Sequence, residues 1–131
     1  MLKKLTLVFI LSFIFNIIWE ILHSTLYLNY KGLEITSFIL FRAAIFDAIF
    51  ISLIIFISQK LTINKSFFIV LVGLILAIGI EIWALQTGRW GYSPWMPIIP
   101  FIKTGLTPTI QLALTGYIVN KICFRRKLET I

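Results

Sequence analysis

Leu5-Thr6-Leu7-Val8-Phe9-Ile10-Leu11-Ser12-Phe13-Ile14-Phe15-Asn16-Ile17-Ile18-Trp19-Glu20-Ile21-Leu22 decides the class of this chain. The run is long enough to cross a hydrocarbon layer as a helix, for which about 20 apolar residues suffice. It holds one charged residue, Glu20. Lys3 and Lys4 precede it in the manner of a signal peptide. The apolar stretch exceeds a usual signal core, however, and no small-x-small cleavage site follows, so it reads as a retained first span.

The same reading extends along all 131 residues. The chain is 60% hydrophobic and 13% charged, with mean hydropathy +1.01. Soluble domains run at about 45–50% and about 25%. Spans are expected at about 5–26, 35–58, 67–85 and 106–124, all within one domain covering 1–131. The breaks between them carry Gly, Pro, Asn or Lys, as turns and interfaces do. The runs are too long and unbroken for the short alternating strands of a membrane barrel. The expected fold is all-α: an antiparallel four-helix transmembrane bundle with a structured extracytoplasmic loop between helices 3 and 4.

Charge sets the expected orientation. Net charge is +7. Lys3, Lys4, Lys60, Lys65, Lys121, Arg125, Arg126 and Lys127 fall on one side, and Lys31, Arg89 and Lys103 on the other. The positive-inside rule then puts both termini in the cytoplasm of a multi-pass inner-membrane protein. No basic patch accompanies a nucleic-acid-binding pattern, so no nucleic acid is expected as a partner. The single Cys123 excludes an internal disulfide and a cysteine metal site.

Ionisable residues inside apolar runs mark where chemistry belongs. Placing one at the bilayer centre costs roughly 2.5–3.5 kcal/mol on insertion scales, so such groups face the bundle interior. Glu20, Asp47, Glu81 and Arg42 are of this kind. Counted from the span ends at 1.5 Å per residue, Glu20 and Glu81 lie roughly 21–22 Å above the inner end, and Arg42 roughly 10 Å below the outer one. Gln111 comes near the same level, with Asp47 about a turn deeper. Asn16, Glu20, His23 and Tyr27 form one helical stripe by spacing. Gly73, Ala77 and Glu81 repeat at four, which lets a neighbouring helix approach closely. A Glu20–Arg42 or Glu81–Arg42 pair is the simplest way to neutralise the buried charge.

The candidate proton-transfer groups are therefore Glu20, His23 and Glu81, and a polar clamp between helices explains them equally well. The candidate ligand-binding residues are Asn16, Tyr27, Arg42, Asp47, Arg89, Trp90, Tyr92 and Gln111. No metal is expected, because the chain has one histidine and no His-Glu-x-x-His spacing, and no cofactor is implied. The stretch from Gln86 to Pro100 is too long for a plain connector. It reads as a lid or binding loop in which Arg89 meets an anion, or as an aromatic belt of Trp83, Trp90, Tyr92 and Trp95. Thr107 is the expected N-cap of the last helix, with Pro108 in its first turn.

The pattern Asn16-x-x-Trp19-Glu20-x-x-His23-x-x-Leu26-Tyr27, Glu81, Thr87-Gly88-Arg89-Trp90-x-Tyr92, Met96-Pro97 and Gly105-Leu106-x-Pro108-x-x-Gln111 resembles a group of small bacterial four-span membrane proteins. That resemblance covers nearly the whole chain. It implies fold and location and offers no mechanism. A looser analogy is to sterol-isomerase-type proteins, which place His, Glu and Trp in a bundle pocket. No internal repeat of the transporter kind is present.

Three functions are compatible with these residues. The first is binding, with or without conversion, of a lipid-like or isoprenoid ligand near the outer leaflet. The second is a scaffold whose polar layer sets helix packing against a membrane protein partner. The third is a proton-coupled transporter or channel subunit. The expected partners are membrane lipids, a lipid-like ligand and a membrane protein.

Overall fold

In a computed structural model that describes residues 2–124, the chain forms four helices: α1 (Leu2–His23), α2 (Ser37–Gln59), α3 (Lys65–Gln86) and α4 (Leu106–Cys123). The first three are long and apolar enough to cross a membrane by length and composition. Local signals set their ends. Thr36 caps α2 by accepting from the Ile39 amide at 3.3 Å. Asn64 does the same for α3 from Phe67 at 3.1 Å. Arg125, Arg126 and Lys127, expected to fix topology, lie outside the described residues.

The molecule is turned inside out relative to a soluble bundle. Ile14, Ile18, Phe38, Phe46, Leu53, Phe67 and Ile75 face outward, whereas Asn16, His23, Glu81, Thr109, Gln111, Thr115 and Asn120 are buried. Soluble surfaces do not present so continuous an apolar coat. α4 differs from the others because its polar residues point to neighbouring helices. Thr109, Gln111, Thr115 and Asn120 all lie on its buried faces, so the helix is less apolar than the three around it.

α1 packs along α2, and α3 along α4. The α3–α4 approach is the tightest. A Cβ added at Gly73 would lie 2.9 Å from the Ala113 backbone, so only glycine admits α4 there. Lower in the bundle Gly116 of α4 faces Ile69 and Ile51. Val8, Ile51, Ile55, Ile69, Leu112 and Val119 form an apolar core around it.

A small antiparallel sheet closes one end. β1 (Tyr27–Tyr30) pairs with β2 (Trp90–Tyr92), with Tyr27 opposite Tyr92 and Tyr30 opposite Trp90. This sheet departs from the all-helical expectation. α1 stops at His23, and a 3-10 turn at Ser24–Leu26 leads into β1. Tyr27 therefore leaves the helical stripe assigned to it by spacing. Thr107 is likewise not a cap. Gly105 occupies that position, and Thr107 lies within the first turn of α4 beside Pro108.

The two ends carry different residues. Lys4 lies over the Phe124 ring at 5.1 Å, Gln59 Nε2 donates to Asn120 Oδ1 at 3.2 Å, and Lys65 Nζ donates to the Gln59 carbonyl at 3.2 Å. These contacts bring Lys4, Lys65 and the C-terminal end of α4 to one end. The sheet, Lys31 and Arg89 occupy the other, where the Lys31 amide donates to the Arg89 carbonyl at 2.7 Å.

Candidate functional site

Beneath the sheet, polar side chains from all four helices converge in two groups. The first centres on Gln111 of α4. Its Nε2 lies 2.9 Å from Asn16 Oδ1, 2.9 Å from Glu20 Oε1 and 2.9 Å from Asp47 Oδ2. The carboxyls of α1 and α2 thus have oxygens no more than twice that distance apart. Asn16 Nδ2 donates down its own helix to the Ser12 carbonyl at 2.7 Å and across to Thr115 Oγ1 at 3.4 Å.

His23 extends this group upward. Its Nε2 is 3.1 Å from Glu20 Oε2 and its Nδ1 is 3.0 Å from Thr107 Oγ1. Thr107 Oγ1 in turn donates to Met96 Sδ at 3.5 Å. The Thr107 hydroxyl can donate to Nδ1, which leaves Nε2–H donating to Glu20, or to the Met96 sulfur, which leaves Nδ1–H donating to Thr107. The His23–Glu20 contact holds one proton between Nε2 and Oε2. That is the geometry of an acid–base pair.

The second group centres on Glu81 of α3, which is almost fully buried. Tyr27 donates to Oε1 at 3.4 Å, Trp90 Nε1 donates to Oε2 at 3.1 Å, and Tyr92 makes a short hydrogen bond to the same oxygen. Both strands of the sheet are therefore tied to one carboxylate. The Gly105 amide donates to the Tyr92 hydroxyl at 2.9 Å, which joins the start of α4 to the same knot. Burial, then the neighbouring Glu81 carboxylate, raises the Tyr27 and Tyr92 phenols above their ordinary value, so both remain hydrogen-bond donors.

Arg42 does not pair with either glutamate. Its guanidinium donates to the Tyr30 hydroxyl at 2.5 Å and lies 5.5 Å from that ring. Among the described residues the one contact with ion-pair geometry is His23–Glu20, which is an ion pair only with the imidazole protonated. The reason lies in spacing: Arg42 sits more than a turn nearer the helix end than Asp47, and its long side chain reaches outward to the sheet. Arg89 lies 4.8 Å over the Trp83 ring. Trp83 and Trp90 are thus partners of specific side chains, in addition to any role at a headgroup layer.

A cavity of about 550 Å³ joins these parts. Its polar side is lined by Glu20, Asp47, Glu81 and Gln111, and its rim by Tyr30, Arg42 and Arg89. The walls are apolar: Ala43, Phe46 and Phe50 from α2 face Ala77, Ile80 and Trp83 from α3. Phe46 and Trp83 also reach the outer surface, at 54% and 49% exposure, so the space opens sideways between α2 and α3. Its volume falls within the range of about 300–1,000 Å³ typical of small-molecule sites.

Of the residues singled out by sequence, Asn16, Glu20, Asp47 and Gln111 meet directly. His23 joins through Glu20. Tyr27, Trp90 and Tyr92 gather on Glu81, and Arg42 and Arg89 stand at the rim. Sequence reasoning missed Thr107 as the partner of His23, Thr115 as the partner of Asn16, and Tyr30 as the partner of Arg42. The four-residue spacing of Thr107, Gln111 and Thr115 was the available signal for the first two. Among the described residues no three His, Cys, Asp or Glu side chains are arranged to hold a metal ion. Comparison with protein-family models, curated proteins and solved structures finds no match to this chain.

Proposed function

We propose that this is a four-span inner-membrane protein, of the small bacterial kind its motifs resemble, that binds a lipid-like or isoprenoid ligand in the cavity between α2 and α3. The observation that carries the reading is the cavity itself. Its apolar walls open sideways, where lipid would stand, and its polar side holds ionisable groups that are costly to keep in a membrane without a use. In this arrangement α4 is the fourth span, its polar face covered by α1 and α3. The lysine-rich end lies in the cytoplasm, and the sheet caps the outer side. If a reaction occurs, Glu20 exchanges the proton, because it lines the cavity and touches His23.

The transporter reading is less well supported. The polar seam between α1 and α4 runs from His23–Thr107 through Gln111 and Asn16 to Thr115. Below it, Ser12 Oγ is buried without a partner among the described residues. Val8, Ile55 and Val119, all fully buried, then separate the seam from the Gln59–Asn120 pair. An apolar plug of this kind opposes proton passage. The scaffold reading has one feature in its favour: the ordered loop before α4 presents Trp95 at 82% exposure and Phe101 fully exposed.

The test is native mass spectrometry with lipid analysis on protein extracted in mild detergent, comparing wild type with Ala43→Trp, which fills the cavity from its α2 wall. A specific amphiphile retained by wild type and lost from the variant is the expected result. Equal lipid profiles in two equally folded proteins would defeat the proposal.

A further inference from the structure

We propose that the ligand's head is a hydrogen-bond donor, a hydroxyl or an amine, seated against Asp47 and Glu20, and that phosphate- and carboxylate-headed amphiphiles are excluded from that position. The inference rests on the ligand-cavity reading above and adds the chemistry of what fills the cavity.

Hydrogens are fewer than the acceptors they must serve at this point. The Gln111 side-chain nitrogen has two hydrogens, yet three oxygens stand 2.9 Å from it, on Asn16, Glu20 and Asp47. Glu20 Oε2 has His23. Glu81 is supplied by three donors from the sheet. The Asp47 and Glu20 carboxyls are hydrogen-bonded to each other, which places one proton between them. Beyond that Asp47 has only a share of one amide hydrogen on Oδ2, so the oxygens of Asn16, Glu20 and Asp47 still outnumber the hydrogens that reach them. Asp47 also lines the cavity. Buried acceptors left short of donors are costly, and more so when charged. A ligand that brings its own donors relieves the deficit.

Charge points the same way. The residues lining the inner part of the cavity include three carboxyl groups, and the one basic side chain in contact with them is the His23 imidazole, held on Glu20. Both arginines stand at the rim and are engaged elsewhere, Arg42 on Tyr30 and Arg89 on Trp83. An anionic head placed beside Asp47 would meet like charge, while the guanidiniums are turned to Tyr30 and Trp83. A hydroxyl or ammonium would meet acceptors. The remainder of such a molecule is apolar, since it must lie along Ala43, Phe46, Phe50, Ala77 and Ile80.

Three probes with one tail separate the cases: geranylgeraniol, geranylgeranylamine and geranylgeranyl monophosphate, titrated into the full-length protein in detergent. Binding is read by native mass spectrometry and by the ligand-dependent rise in melting temperature. The alcohol and the amine should bind at least tenfold more tightly than the phosphate. Asp47→Asn, nearly the same shape, should weaken the amine at least tenfold. Equal or tighter binding of the phosphate, abolished by Ala43→Trp, would overturn the donor-head inference and leave the ligand cavity standing. So would alcohol and amine binding that Asp47→Asn does not change. If no probe binds, and wild type and Ala43→Trp carry the same co-purified lipids, the cavity reading fails and this inference fails with it.

Discussion

The amide of Gln111 and the carboxyl of Asp47 meet at 2.9 Å across the interior, joining α4 to α2 at a point where acceptors outnumber donors. Sites built for a ligand commonly hold such a mismatch at the expense of stability. Asp47→Asn converts one acceptor into a donor without changing volume. The ligand-free variant should therefore be more stable than wild type, by about 1 kcal/mol, the size of one net hydrogen bond. A melting temperature raised by several degrees in delipidated protein is the expected observation, and a fall would show that Asp47 is already satisfied. Gln111→Leu should act in the opposite direction, because it strips donors from all three oxygens.

Glu81 should behave as an anchor for the sheet. Tyr27, Trp90 and Tyr92 all donate to it. In Glu81→Gln one carboxylate oxygen becomes an NH₂ group, which cannot accept from them. Hydrogen bonds to charged groups contribute about 1.5–3 kcal/mol each, so losing the equivalent of one should speed local opening roughly 10-fold to 100-fold. Amide hydrogen exchange at residues 27–30 and 90–92 measures this directly. Acceleration confined to those strands is expected, with α1 and α4 protected as before. Unchanged protection would mean that backbone pairing alone holds the sheet.

The Tyr92 phenol gives the cap a pH dependence of known sign. Burial first, then the hydrogen bond to Glu81 and its charge, raise its folded-state value above the ordinary one. A raised group contributes stability that is complete below its unfolded value, about 10, and is lost as pH rises through the folded value. The wild type should lose melting temperature above about pH 10. Tyr92→Phe should start lower and fall less steeply over the same interval. Parallel curves for the two proteins would assign the alkaline loss to other groups.

Much of this arrangement is legible in the chain, and the parts that are not have physical reasons. The apolar runs at 5–26, 35–58 and 67–85 foretell α1 to α3 because lipid imposes length and hydrophobicity together. Glu20, Asp47 and Gln111 are found by the cost of burying them. The sheet escapes because Tyr27–Tyr30 and Trp90–Tyr92 are short and far apart in sequence, and their pairing is sealed by Glu81, a contact no local pattern encodes. Arg42 misleads because depth counted along a helix axis ignores the reach of a long side chain. Thr107 misleads because a threonine before Pro108 has the local signature of a cap, while its actual partner, His23, comes from the other end of the chain.

Two glycines of α3 should respond oppositely to the same substitution. Gly73 lies against α4, and a Cβ there would stand 2.9 Å from both the Cα and the amide nitrogen of Ala113, with the Leu112 carbonyl carbon at 3.2 Å. These are backbone atoms that cannot rotate aside. Gly79, six residues on, is exposed and has nothing within 4 Å of the corresponding position. Gly73→Ala must push α3 and α4 apart, and overpacking of this kind costs about 1–3 kcal/mol. Gly79→Ala adds only helix propensity and should stabilise by up to about 1 kcal/mol. Melting temperatures of the two variants should therefore move to opposite sides of wild type. Destabilisation by both would place a second neighbour at Gly79, as in an oligomer. Tolerance of Gly73→Ala would mean that α3 and α4 do not approach at Ala113.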